Sequence, residues 1–312
     1  MTTTPSRALV LGGGGVAGIA WESGLLAGFL QAGIDLDAAD LVVGTSAGSS
    51  VAVSLRDGRL TPERLAERFA ATSPAAAARP AHLAEDETTA ADGAPGRATP
   101  AQEVLEFDGI AFFEAMREAA RGGGSEQEVR ARIGEWARRT RVSTPLEAWL
   151  ARIGARLPKE WPQGRLAVTA VDAEDGALRT FGAEDGVDLV HAVAASCTVP
   201  SVFPLVPIEG RLYMDGGMRS TTNADVAAGH DRVLVVSCAP EGPAAPHGPV
   251  LDVAAADLRD RGSQVLVVQA DEASLRAFGT NVLDPATSEP SFRAGFAQAQ
   301  AVGERVRSFW AG

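Results

Sequence analysis

Cysteine is scarce: two stand in 312 residues. That excludes a disulfide framework. Cys197 and Cys238 are read as reduced thiols, with a single bridge as the alternative. No cluster of Cys and His has metal-ligand spacing, so neither a metal nor any other cofactor is expected. No apolar run is long enough to span a bilayer. Met1 to Arg7 lack the basic-then-apolar layout of a secretory signal. A cytoplasmic protein, at most peripheral to a membrane, is therefore expected. Positive charge is in deficit: 28 Lys and Arg against 40 Asp and Glu leave a net charge of −12. Affinity for nucleic acid rests on basic groups neutralising phosphates, so nucleic acid is excluded as a partner. Overall charge does not favour anionic lipid either, which leaves only a local patch for that purpose. No internal repeat is visible, and nothing in the sequence sets an oligomeric state.

What is present is ordinary for a globular chain, with 46% hydrophobic and 22% charged residues. The length permits one large domain or two smaller ones, either with a proper core. Ala8–Leu11 is expected as a buried strand, stopped by a glycine loop from Gly12 to Gly15 and Gly18. A helix is expected from Ile19 to Gly33. Leu41–Val43 is a second strand, and a helix follows through Val51–Leu55. Thr61 and Pro62 start another helix. Ser73–Pro100 is rich in Ala, Pro and Thr without periodicity and is expected as a loop or a partly disordered insertion. Ala101–Leu157 is helical again. Val104, Leu105, Ile110, Phe112, Phe113 and Met116 share one apolar face, and Gly122–Gly124 interrupt the pattern. This block is either a cap or plain packing on the sheet. Leu166–Val171 and Leu178–Phe181 form a hairpin, and Val187–Ala195 a helix. Pro200, Pro204 and Pro207 mark an irregular loop. Arg211–Met214, Asp231–Ser237 and Gln264–Val268 are strands, and Phe292–Trp310 is a closing helix. Strands alternating with helices predict an α/β layered fold with a largely parallel sheet.

Three constellations carry chemistry. Gly44-Thr45-Ser46-Ala47-Gly48 is a G-x-S-x-G pattern between a strand and a helix. A sharp turn there exposes a serine hydroxyl, and the helix start favours developing negative charge. The bland alternative is a glycine-rich turn with a surface serine. Gly13-x-Gly15-x-x-Gly18, after a strand and before a helix, matches a dinucleotide fingerprint. That fingerprint wants an acidic residue at the end of the second strand, where Gly44-Thr45-Ser46 stands instead. Consecutive glycines at a helix start can also hold an oxyanion on their N–H groups. Asp215-Gly216-Gly217 puts a carboxylate on a tight turn at a strand end. It is either an ordinary acidic turn or a base for the serine. A Ser-His-Asp triad would need one of His82, His191, His230 or His247. His191 reads as a core position, and none of the four has a motif context.

In this order the three patterns resemble the patatin-like phospholipase family. The segment Ala194–Pro204 ahead of the aspartate and Asn223 after it fit the same resemblance, which covers Ala8 to about Leu55 and Val168 to about Val236. The resemblance implies one domain over 1–312, a three-layer α/β/α sandwich, with the helical and low-complexity stretch at 73–160 as an insertion. It also implies a Ser–Asp dyad without histidine. Ser46 would be the nucleophile, Asp215 the base, and the N–H groups of Gly13, Gly14 and Gly15 the oxyanion hole. Gly18, Gly44, Gly48, Gly216 and Gly217 would support these turns. The implied reaction is hydrolysis of an acyl-ester lipid, with transient contact to a membrane surface as an option. A regulatory member that binds acyl lipid without turnover is the alternative, and a dinucleotide-binding module the remoter one. The chain departs from the family at Ala17, where a basic residue is usual. It also has one extra residue between Gly18 and Gly24, and Ala224 in place of a frequent proline.

Overall fold

A computed structural model describes residues 5–60, 64, 109–238 and 247–311. The expected helix start at Thr61 and Pro62, the Ser73–Pro100 loop, Val104, Leu105 and His82 lie outside the described residues. Among the described residues eight strands make one sheet. They are β1 (Arg7–Leu11), β2 (Leu41–Thr45), β3 (Leu166–Asp172), β4 (Leu178–Phe181), β5 (Val206–Ile208), β6 (Arg211–Asp215), β7 (Arg232–Ser237) and β8 (Gln264–Gln269). The pairs β3–β2, β2–β1, β1–β7 and β7–β8 are all parallel, whereas β4, β5 and β6 run antiparallel to their neighbours. β1 and β2 read as unbroken apolar runs because nearly every residue in them is buried. That is the signature of a parallel strand covered on both faces.

The pairing of β3 determines where the site forms. Thr169 pairs with Thr45 of β2 in parallel, and the next residue, Ala170, pairs with Asp215 of β6 in antiparallel fashion. Both residues also pair with β4. A strand has two edges, so β2 and β6 share the edge opposite β4. They approach each other end to end, and their C-terminal ends meet.

Alternate residues of the strands point to opposite faces. Leu9, Leu11, Val42, Leu234 and Val236 enter one large core. Over it lie α1 (Gly15–Gln31), α2 (Ala47–Arg56), α5 (Leu146–Gly154), α6 (Leu189–Ser196), α8 (Glu272–Phe278) and α9 (Ser288–Ala311). Ala8, Val10, Val43, Val233 and Val235 enter the other core, under α7 (Leu251–Asp260). Farther along that face, Val171 and Met214 pack with α3 (Gly109–Arg121) and α4 (Glu126–Arg139). The fold is a three-layer α/β/α sandwich with a largely parallel sheet, as the alternation of strands and helices predicts. Among the described residues no helix is long and apolar enough to cross a membrane. Cys197 and Cys238 are both free.

Several expectations need correction. α1 begins at Gly15 rather than Ile19, so Gly18 lies inside the helix. Glycine is a poor helix former, but packing overrides propensity here. A Cβ on Gly14 would lie 2.5 Å from the Cys238 sulfur, and one on Gly18 3.0 Å from it. Pro207 sits in β5 and not in a loop. Among the described residues β5 pairs only with β6, and an edge strand tolerates the missing N–H. Phe113 is 62% exposed while Phe112 is 9% exposed, so only Phe112 belongs to the apolar face. His191 is not a core residue: it sits in the first turn of α6, partly exposed and bonded to Asp188 at 2.9 Å. The helical block divides between the two roles considered for it. α3 and α4 pack on the sheet, whereas α5 lines a cavity.

Candidate active site

Ser46 follows β2 with φ 52° and ψ −116°. Residues other than glycine occupy this conformation only under strain. The glycines on either side are demanded by close approach. A Cβ on Gly44 would lie 2.5 Å from the Ser49 Cα, and one on Gly48 would lie 2.2 Å from the Leu11 carbonyl oxygen. α2 therefore starts pressed against the end of β1, where the Gly48 N–H donates to the Gly12 carbonyl at 2.9 Å. The strained residue is held by its own backbone. Its N–H donates to Ser196 Oγ at 2.9 Å, and its carbonyl accepts from Ser49 Oγ at 2.6 Å and Cys197 Sγ at 3.2 Å.

Asp215 ends β6 and is 2% exposed. Its N–H donates to the Thr198 carbonyl at 2.9 Å. The end of α6 thus holds both strand ends, with Ser196 on Ser46 and Thr198 on Asp215. Asp215 Oδ1 accepts the Gly217 N–H at 2.7 Å. Oδ2 is buried and has no hydrogen-bond partner among the described residues. Burial raises the carboxyl pKa to about 7, against the opposing pull of the Ser46 hydroxyl and the Gly217 N–H. Cys197, beside the pair, is the reverse of a nucleophile. Burial and the Asp215 charge push its thiol up to about 12.

The glycine loop closes the third side. A Cβ on Gly13 would lie 3.4 Å from the Ser46 Cβ. The Gly13 N–H donates to the Thr221 carbonyl at 2.7 Å. The N–H groups of Gly14 and Gly15 have no partner among the described residues, and they stand at the positive end of α1. Beneath the loop, Glu22 is fully buried and its pKa is raised well above the ordinary value by desolvation. Its Oε1 receives the Cys238 thiol at 3.8 Å, and its Oε2 has no hydrogen-bond partner among the described residues.

Asn223 joins the pieces. It is fully buried and left-handed, φ 48°. Its Nδ2 lies 2.8 Å from the Ser220 carbonyl, 3.1 Å from the Gly216 carbonyl, and 3.2 and 3.3 Å from the hydroxyls of Thr45 and Thr169. Its Oδ1 accepts from Arg219, which also pairs with Asp225 at 2.7 Å. Ser196, Thr198 and Thr169 carry no sequence signal of their own, because a hydroxyl or carbonyl in a core position reads as packing. Asn223 and the segment around Ser196 stand out only through the family resemblance.

Gly13, Gly14, Gly15, Ser46, Asp215 and Gly217 line one cavity of about 390 Å³. This is within the usual size of a ligand site. Gly18, Gly44, Gly48 and Gly216 stand behind it as turn and packing residues. Its apolar wall includes Trp149 and Phe203, whose rings stack with centroids 3.8 Å apart. His191, His230 and His247 do not line it. His230 bonds to the Ala227 carbonyl, and the His247 carbonyl accepts from Arg130.

A serine on a strained strand-to-helix turn in an α/β/α sandwich defines a broad class of proteins. The sequence narrows it: residues 9–228, more than half of the chain, match the patatin-like phospholipase family, and the chain belongs to that family. Membership implies a lipid acyl hydrolase. No curated protein sequence matches the chain. Among solved structures, VipD from Legionella pneumophila is 11% identical with a TM-score of 0.43, covering 97% of this chain and 68% of VipD. Full-length ExoU of Pseudomonas aeruginosa, in complex with SpcU, is 16% identical with a TM-score of 0.39, covering 100% of this chain and 54% of ExoU. A second ExoU structure is 15% identical with a TM-score of 0.36, covering 96% of this chain and 53% of that one. The chain thus spans about half the length of ExoU.

Proposed function

We propose that this chain hydrolyses acyl esters of lipids with a Ser46–Asp215 dyad. One observation carries the reading: a serine on a strained turn lines the same cavity as a buried carboxyl whose pKa is raised to about 7, and none of the described histidines lines that cavity. A partly desolvated carboxylate is a stronger base than one in water. Asp215 takes the Ser46 proton as Oγ bonds to the ester carbonyl carbon. The carbonyl π electrons move to oxygen, and the N–H groups of Gly14 and Gly15 receive the oxyanion. Gly13 shapes the loop, since its own N–H is engaged with Thr221. Collapse of the intermediate breaks the ester C–O bond, and protonated Asp215 gives its proton to the departing alcohol. Water then attacks the acyl-enzyme, with Asp215 again taking a proton. The fatty acid leaves, and the proton returns to Ser46.

The test is labelling of Ser46 by a fluorophosphonate, combined with release of p-nitrophenol from esters of graded chain length. Turnover by the wild type, lost in Ser46→Ala and in Asp215→Ala, supports the reading. Absence of both labelling and turnover in the folded wild type overturns it. Lipid binding without turnover would instead indicate the regulatory alternative, and a thermal shift with NAD or NADP the dinucleotide one.

A further inference from the structure

Glu22 is a carboxyl that the reaction above does not use. It lies in α1 with no exposure to solvent. Among the described residues it makes no ion pair, its Oε1 receives the Cys238 thiol at 3.8 Å, and its Oε2 has no hydrogen-bond partner. A buried polar group with an unfilled bond is costly, and an apolar side chain of similar size would avoid that cost. A carboxyl at this place therefore points to a task beyond packing. That task lies on the far side of Cys238. Cys238 follows β7 and is buried. A Cβ on Gly14 would lie 2.5 Å from its sulfur and 2.7 Å from its Cβ, and one on Gly18 3.0 Å from the sulfur. The Cys238 side chain therefore rests directly on Gly14, whose N–H has no partner among the described residues and is placed to receive an oxyanion. Glu22, Cys238 and Gly14 thus form one chain of contacts that ends at the oxyanion loop.

Resting on the hydrolase reading above, we propose that Glu22 is a positioning residue of the oxyanion loop: it orients the Cys238 side chain, which in turn sets where the Gly14 N–H points. Neither Glu22 nor Cys238 lines the Ser46 cavity, so both act from behind the loop and not on the substrate. A Cys238 sulfur turned away from Glu22 would press on Gly14 or leave it unsupported. Placement matters because a donor stabilises the oxyanion only from the right position, and a misplacement of about 1 Å can cost on the order of 100-fold in rate. Burial raises the Glu22 pKa well above the ordinary value, against hydrogen bonds from the Gly12 backbone and Cys238. A neutral acid braces the loop without setting negative charge beneath the place where negative charge develops.

The experiment measures kcat and KM on a p-nitrophenyl ester, together with Tm. The variants are Glu22→Leu, Glu22→Gln, Cys238→Ala and the double variant Glu22→Leu/Cys238→Ala. Leucine keeps the volume and removes the acceptor. It is expected to melt no lower than the wild type, while kcat falls ~10-fold with KM unchanged. A merely structural role would not produce that split. Glutamine keeps an acceptor for the thiol and is expected to recover most of kcat. Because Glu22 acts through Cys238, the double variant is expected to lose ~10-fold and not ~100-fold. A Leu variant with wild-type kcat, a Gln variant as slow as the Leu one, or a double variant whose losses multiply overturns the proposal. So does a Leu variant whose kcat falls only as its folded fraction falls. To separate this proposal from the hydrolase reading, Glu22→Leu is placed in Ser46→Ala, and hydrogen exchange is followed at the Gly12 and Gly18 amides, which donate to the Val236 and Gly14 carbonyls. Exchange sped up ~10-fold more at these two than at the amides of β8 supports the brace even without turnover, and an equal change at both places overturns it.

Discussion

Thr45 and Asp215 pair with consecutive residues of one strand, Thr169 and Ala170, from opposite directions. The residue after Thr45 is Ser46. A parallel and an antiparallel partner meeting on one edge of β3 therefore bring a hydroxyl and a carboxyl together from strands far apart in the chain. The relationship depends on backbone register and not on any loop.

The Asp215 pKa of about 7 sets the pH dependence. A base works only when deprotonated, so kcat/KM should rise with pH up to about 7 and flatten above it. A pH–rate profile on a p-nitrophenyl ester checks this. Replacing all four histidines by Gln should leave the inflection in place, whereas loss of the inflection would implicate a histidine.

Stability should move in the opposite sense. The folded pKa lies above the unfolded carboxylate value of 3.8, so the neutral form is the favoured one. Its contribution is fully present below the unfolded value and is lost as pH rises through about 7. A rise of this size corresponds to about 4 kcal/mol as an upper bound. The wild type is expected to lose more thermal stability between pH 5 and pH 8 than Asp215→Asn does. Parallel melting curves across pH would sink the idea.

Strain at Ser46 makes a separate prediction. With φ 52° and ψ −116°, Ser46→Gly should be inactive yet about 1 kcal/mol more stable than Ser46→Ala, since glycine alone relaxes there. Chemical denaturation of the two variants side by side measures the difference. An alanine variant as stable as the glycine one would show that the turn stores no strain.

Asn223 is a positioning residue. Asn223→Ala leaves the Gly216 and Ser220 carbonyls without this donor and should cost about 2 kcal/mol. A structural loss alone would not change the pH profile. Asn223→Asp places a second carboxyl near the Gly216 turn and should push the inflection above that of the wild type. An unmoved inflection in a folded Asn223→Asp enzyme would reduce Asn223 to a packing role.

The centre of the fold was legible because its chemistry forces unusual sequence. Gly44 and Gly48 cannot carry a side chain, so the elbow leaves a glycine imprint around Ser46. Asp215-Gly216-Gly217 leaves another for the same reason, since a Cβ on Gly216 would meet the Thr169 hydroxyl at 2.4 Å. What escaped reading depends on tertiary partners. The early start of α1 depends on Cys238, and the exposure of Phe113 and His191 on which neighbours happen to cover them. The strand at Pro207 depends on its edge position. α7 and α8 are short helices, with seven residues in α8; α7 leans on β8, and α8 on α9 and α1, more than on their own periodicity. The hold of Ser196 and Thr198 on the two strand ends consists of one hydroxyl and one carbonyl, which no local pattern marks.

The edge shared on β3 also divides the chain into two incomplete halves. A cut between β2 and β3 would leave Ser46 on the first fragment, and β3 with Asp215 on the second. Neither fragment holds the strand register that joins the dyad, so each alone should be inert. Only their reassociation would recreate a competent site, which makes the protein suited to a split reporter whose signal depends on β2 finding β3.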